Sequence, residues 1–208
     1  MKLGIIGAGN IGATLAGLFA KAGHEVALSN SRGPETLQDL VADLNQNAEG
    51  EVRAMAAEDA AAFGDVVVEA IPFGHYQELP KEALEGKTLV SASNYYPGRD
   101  GEMDLGGHTQ TELVASYLSS TTVVKAFNTI YWEHLRDQGD TSKPVDERRV
   151  IFLAGDDEAA KREVANLIEE IGFGPYDTGS LSESAVQEPG ADIYNRDLTV
   201  AEARARTS

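Results

Sequence analysis

The chain contains no cysteine, which excludes a disulfide framework, a thiolate nucleophile and any Cys-ligated metal or cluster. Basic residues are scarce: 17 Lys plus Arg stand against 34 Asp plus Glu, a formal net charge of -17 over 208 residues. A field of that sign repels nucleic acid phosphates and anionic membranes, so neither is expected as a partner. Apolar runs are short, and none nears the roughly 18 to 20 residues that span a bilayer. The opening MKLGIIGAG sets one Lys before an apolar run that glycines interrupt, with no cleavage-site pattern behind it, and the expected location is cytoplasmic. No two histidines show metal-ligand spacing, and no metal is expected. A Gly-x-Ser-x-Gly nucleophile elbow and a Tyr-x-x-x-Lys pair are missing too, so two common catalytic devices are set aside.

What is present alternates between strand and helix. KLGII, EVALS, DVVVEAI, KTLVSAS, TVVKAF and RVIFLAG read as strands, with a further short strand near Val52. Helical spacing falls at 10–22, in PETLQDLVADLNQ with Pro34 in its first turn, in an alanine-rich stretch after Val52, and at 110–118 and 157–171. This alternation predicts an α/β protein of Rossmann type, a doubly wound, mostly parallel sheet with a small C-terminal extension. The expected division is a dinucleotide-binding domain over 1–180, including the second-substrate site, and a polar tail over 181–208 that completes the site or a dimer contact.

Gly7-Ala8-Gly9-Asn10-Ile11-Gly12 is a G-x-G-x-x-G that follows a strand and opens a helix. Gly7 permits the tight turn, Gly9 lets backbone approach a pyrophosphate, and Gly12 lets helix and strand pack closely. Phosphates would then lie on the free N–H groups of the helix N-terminus. At the end of the second strand, an enzyme for NAD carries an acid that accepts hydrogen bonds from the adenosine ribose. Here the strand runs into Asn30, Ser31 and Arg32, an amide, a hydroxyl and a guanidinium suited to phosphate oxygens. The cofactor this predicts is NADP.

Reaction in such sheets occurs beyond the carboxyl ends of the strands. Three segments qualify: Ile71-Pro72-Phe73-Gly74-His75-Tyr76, Ser93-Asn94-Tyr95-Tyr96-Pro97 and Ala126-Phe127-Asn128-Thr129. His75 is the histidine within them, while His24 and His134 read as helix-end or surface residues and His108 lies in a glycine-rich loop. No catalytic residue is assigned, and His75, Asn94 and Asn128 are the candidates that face a substrate. So few acid or base groups suit hydride transfer between two ring cofactors, where stacking and distance do most of the work. Phe73, Tyr95, Tyr96 and Trp132 suit a flat partner.

GIIGAGNIGATLA, SNSRG, IPFGHY, SASNYYPGRDG, VVKAFNTI and YDTGSLSES, in that order and spacing, resemble the F420-dependent NADP oxidoreductase family over roughly residues 1–185. The resemblance implies a Rossmann domain, usually in a homodimer, that moves hydride reversibly between C4 of the NADP nicotinamide and C5 of the deazaflavin coenzyme F420. It implies that Gly9, Asn10 and Ile11 hold the pyrophosphate and that Asn30, Ser31 and Arg32 hold the 2'-phosphate. Ile71, Pro72, Phe73 and His75 would border the ribose and nicotinamide, Ser93 and Asn94 the nicotinamide, and Asn128 the deazaflavin pocket. An anionic deazaflavin tail also calls for a local basic patch, for which Lys125, Arg148 and Arg149 are the candidates. Two other functions keep the same cofactor: reduction of a free flavin, an imine or a small carbonyl compound, and a non-catalytic NADP sensor.

Overall fold

Runs of β-branched residues take the extended conformation that their side chains pack well in. In the computed structural model, which describes residues 1–207, they form one eight-stranded sheet. Its strands are β1 (Lys2–Ile6), β2 (Glu25–Ser29), β3 (Glu51–Ala54), β4 (Val66–Glu69), β5 (Thr88–Ser91), β6 (Thr122–Ala126), β7 (Val150–Gly155) and β8 (Gly174–Asp177). The spatial order is β3-β2-β1-β4-β5-β6-β7-β8, parallel throughout except between β6 and β7. The Rossmann-type α/β fold read from the sequence is the fold observed.

Both sheet faces are covered, which is why the inner strands are apolar without a break. Leu3, Ile5, Val66 and Val68 point to one face, against Leu15, Ala16 and Phe19 of helix α1 (Asn10–Lys21) and Val164, Leu167 and Ile168 of the helix Glu158–Glu170. Ile6, Val67 and Leu89 point to the other, against Ala61, Leu84, Val114 and Leu118. Each large aliphatic chain so buried stabilises the fold by roughly 2 kcal/mol before entropy is counted.

Chain order reverses between β1 and β4, so the loops leaving their carboxyl ends part and open a crevice. Gly7 lines it from one side, with φ at +110°, and a Cβ there would come within 2.5 Å of the Ala70 carbonyl on the other. Two of the departures from the sequence reading bear on the sheet and on the crossover from β2 to β3. Residues 34–46 begin as a 3-10 turn, Pro34–Leu37, before the α-helix Gln38–Asn45. Strand β8 was not expected, because Gly174 and Pro175 lower its strand signal; proline is tolerated there since β8 is an edge strand.

After β8 the chain returns across the carboxyl ends of β5 and β6. The Thr109 hydroxyl donates to the Leu181 carbonyl (3.0 Å), the Gln110 amide to Glu188 Oε1 (3.0 Å) and Asn128 Nδ2 to the Gln187 carbonyl (2.7 Å). The Asn195 amide then donates to the Thr129 carbonyl, and Val200 and Ala203 of the final helix pack on Val150, Phe152 and Ile193. Among the described residues no helix is long and apolar enough to cross a membrane.

Candidate functional site

The glycine loop sits at the carboxyl end of β1. Gly12 is held by sterics: a Cβ on it would lie 1.8 Å from the Gly7 carbonyl oxygen. A Cβ on Gly9 would meet nothing within 4 Å, so that glycine leaves room for something outside the protein. Helix α1 starts with no side-chain cap, and its first N–H groups point into that space with the positive end of the helix dipole.

Beyond β2, Asn30 organises the next loop. Its Oδ1 accepts from the Arg32 amide (3.0 Å) and its Nδ2 donates to Thr36 Oγ1 (2.9 Å), a local turn typical of Asn. Ser31 and Arg32 are exposed, and the Arg32 guanidinium has no hydrogen-bond or ion-pair partner among the described residues. An acid does stand close by. Glu35 folds back so that its Oε1 would lie 2.5 Å from a Cβ on Gly33, although its side chain is exposed and free to turn away.

Between the glycine loop and the carboxyl ends of β5 and β6 lies a cleft of about 300 Å³. Asn10, Ile11, Ala92, Asn94, Tyr96, Phe127, Asn128, Ile130, Tyr131, Trp132, Tyr194 and Asn195 line it. Its floor is polar. Asn94 Nδ2 donates to the Asn128 carbonyl (2.8 Å), and Asn128 Nδ2 donates back to Asn94 Oδ1 (3.1 Å). Asn94 Nδ2 also reaches the Tyr194 hydroxyl (3.3 Å), which bonds in turn to the Tyr96 hydroxyl. Phe127 adopts φ of +64°, a costly conformation for a bulky residue, and this turn after β6 presents Asn128 to the floor. Burial and the Tyr96 hydroxyl push the Tyr194 phenol to a higher pKa, which makes it a weak acid at neutral pH.

Below the floor is a titratable pair of which the sequence reading named only Lys125. Glu69, which ends β4, is 1% exposed, and its Oε1 accepts from Ser91 Oγ (2.5 Å) and Ser93 Oγ (2.8 Å). Burial raises its pKa to about 7, against the pull of the two serines, the nearby Ile71 amide and the charge of Lys125. Lys125, on β6, donates to Thr111 Oγ1 (2.9 Å); burial lowers its pKa to about 8, against the charges of Glu188 and Glu69. The signal in the sequence was one carboxylate closing the run VVVE.

The sequence-predicted residues divide. Asn10, Ile11, Asn94 and Asn128 meet at the cleft. Ser93 lies beneath it, bonded to Glu69. Ile71 and Pro72 are at the crevice beside Gly7, partly or fully exposed. Phe73 is 1% exposed in the core, stacked on Tyr76, and is not a cleft wall. His75 is outside the cleft lining, on the surface, with Nδ1 2.8 Å from Glu78 Oε1. His24, read as a helix-end or surface residue, lies just past the end of α1, buried and bonded to Glu170.

The expected basic patch does not form. Lys125 is fully buried, Arg148 is held by the carbonyls of Lys143, Glu169 and Thr141, and Arg149 is buried against Arg196 and Asp197. The cation beside the cleft is Arg99, which donates to the Asn94 carbonyl (2.5 Å) and lies 5.1 Å from the Tyr96 ring centroid while paired with Asp100. Tyr194 and Asn195, from the tail, also went unread, since contacts about 100 residues apart leave no local pattern.

A family model described as NADP oxidoreductase, coenzyme F420-dependent, matches residues 2–95. The hypothetical protein SMa0349 from Sinorhizobium meliloti is 33% identical with a TM-score of 0.83, over 96% of this chain and 95% of that one. A protein from Arthrobacter sp. FB24, provisionally described as an F420-dependent NADP reductase, is 27% identical with a TM-score of 0.72, over 89% and 87%. Metalloreductase STEAP3 from Rattus norvegicus is 32% identical over 187 residues, 88% of this chain and 35% of that protein. The chain thus spans about a third of the length of the curated relatives it matches.

Fold, glycine loop and relatives together define a Rossmann-fold dinucleotide-binding chain of the NADP oxidoreductase class. Within that class the chain belongs to the F420-dependent NADP oxidoreductase family.

Proposed function

We propose that this protein transfers hydride between NADP(H) and the deazaflavin coenzyme F420 in the cleft at the N-terminus of α1. The observation that carries the reading is the character of the lining: aromatic, amide and aliphatic side chains, with no Asp, Glu, His, Lys or Arg among them, and with the Tyr194 phenol, its pKa raised, engaged by Asn94 and the Tyr96 hydroxyl. Reduction of a carbonyl or imine calls for a positioned acid, whereas transfer between two flat rings calls for distance, stacking and exclusion of water.

The residues fit an NADP cofactor. The pyrophosphate would be held at Gly7, Gly9, Asn10, Ile11 and Gly12, where Gly9 leaves open space and α1 leaves its first N–H groups uncapped. Asn30, Ser31 and Arg32 would hold the 2'-phosphate, the guanidinium being free to do so. Ile71 and Pro72 would border the ribose, and Ser93 and Asn94 the nicotinamide. When bound, the nicotinamide supplies a hydride at C4. The protein's part is orientation: Asn94 and Asn128 lock one another, Tyr194 ties the tail over them, and Tyr96, Tyr131 and Trp132 offer faces to a flat acceptor. Arg99, over the Tyr96 ring and paired with Asp100, would meet the anionic part of the deazaflavin.

The test is to mix purified protein with NADPH and oxidised F420 and follow the deazaflavin absorbance. Catalytic bleaching supports the reading. NADPH binding without bleaching refutes it, and turnover with a free flavin, an imine or a carbonyl compound instead would assign the cleft to that acceptor.

A further inference from the structure

Glu69, Ser91 and Lys125 occupy one row across β4, β5 and β6, in register with one another and with Ile6 of β1. In parallel strands, residues in register point to the same face, so a carboxyl, a hydroxyl and an ammonium lie side by side in an otherwise apolar layer. Burying both ionisable groups costs several kcal/mol each unless they are well partnered. Partnering is incomplete: Glu69 Oε2 has no hydrogen-bond partner among the described residues. Nothing in the hydride-transfer reading uses this pair.

Its connections lead to the cleft. Glu69 holds the Ser93 hydroxyl, and the next residue, Asn94, is in the floor. Lys125 holds Thr111; beside it the Gln110 amide donates to Glu188, and Gln187 accepts from Asn128, the other half of the floor. Buried side-chain atoms without partners recur along this path, at Gln110 Nε2, Asn128 Oδ1, Ser184 Oγ and Gln187 Oε1. The path therefore holds its members less tightly than a fully satisfied network would.

We propose that Glu69 is a positioning residue of the site: through the Ser93 hydroxyl it sets the placement of Asn94, and its gain or loss of a proton changes how well the floor holds the second substrate. Ionised, Glu69 accepts strongly from both Ser91 and Ser93 and draws the loop after β5 inward. Protonated, it accepts more weakly and releases Ser93. The charged groups facing the pair are Lys125 toward Glu69 and Glu188 of the tail toward Lys125, while β1 presents the apolar Ile6.

The side-chain amide resonances of Asn94, followed against pH in the full ¹⁵N-labelled chain, test this without any acceptor. The expected result is a shift with its midpoint near pH 7 in the wild type, where burial places Glu69. That shift is lost in Glu69→Gln. It is lost as well in Ser93→Ala, where the carboxyl still titrates but is cut off from the loop. In Lys125→Met the midpoint moves upward, because the neighbouring positive charge is gone. A flat Asn94 resonance in the wild type, or one that titrates alike in the wild type and Ser93→Ala, overturns the proposal even if Glu69→Gln does not fold. Turnover adds a second readout that rests on the hydride-transfer reading. KM for F420 follows the same midpoint in the wild type and is flat in Glu69→Gln. Absence of F420 turnover would defeat that reading and leave the amide titration to decide this one.

Discussion

The two ends of the site are built by different means. At the phosphate end, three glycines within six residues, a helix start and the turn at Asn30 do everything locally, with side-chain partners no more than six residues apart. At the acceptor end, Asn94 meets Asn128, Tyr194 and, through its neighbour Ser93, Glu69; Asn128 meets Gln187. Backbone geometry defines the first, and side-chain hydrogen bonds between distant segments define the second. Anchoring of the cofactor's phosphates should therefore resist changes at the proposed acceptor end, and acceptor selection should resist changes in the Arg32 loop.

The largest break in that separation is expected from Gly12→Val. A side chain there collides with the Gly7 carbonyl, and the expected cost is about 3 kcal/mol or more in stability together with loss of NADPH binding. Thermal unfolding and a calorimetric NADPH titration check both.

Next comes Glu69→Gln. The carboxyl of Glu69 has an ordinary pKa of 4.5 when unfolded and about 7 when folded, so the native state binds the proton more tightly. Wild-type stability from this group is full below about pH 4.5 and falls as pH rises to about 7. Relative to wild type, Glu69→Gln should gain on the order of 3 kcal/mol across that window, read from denaturant midpoints at several pH values. A difference that does not change with pH would mean the carboxyl is not buried as described.

Arg32→Ala sharpens the comparison from the other side. Loss of a hydrogen bond to a charged group costs about 1.5 to 3 kcal/mol, so NADPH affinity should fall roughly 10- to 100-fold. NADH affinity and acceptor KM should stay as they are. Equal losses for both nucleotides would show that the 2'-phosphate is not held there, and would turn attention to Glu35 beside Gly33. The smallest effect belongs to Tyr194→Phe, which removes the hydroxyl that joins Asn94 to Tyr96. About 1 kcal/mol, or roughly fivefold in acceptor KM, is expected, with NADPH binding unaffected.

The same contrast explains how far the sequence could be read. Local chemistry is periodic or fixed in spacing, so the strand–glycine loop–helix start, the missing acid after β2 and the doubly wound sheet were all legible. Strand β8 was hidden because Gly174-Pro175 is a weak strand former that an edge position tolerates. Phe73 read as a cleft aromatic because it follows a strand, yet its ring turns inward and stacks on Tyr76. Lys125 read as a candidate for a basic patch near the deazaflavin, and strand alternation alone did not say that helix Gln110–Tyr117 would cover it. Glu69 was visible as a charge closing an apolar strand; its meaning depended on Ser91 and Ser93, which only the β4–β5 register brings to it.

The central claim is that hydride passes directly between NADPH and a deazaflavin in this cleft. The most direct measurement is a single-turnover reaction with NADPH carrying deuterium at both C4 positions, followed by mass and NMR analysis of the reduced deazaflavin. The account predicts deuterium at C5, delivered to one face, with little washout to solvent. Reduced deazaflavin without the label, or no reduction by protein that binds NADPH, would contradict it.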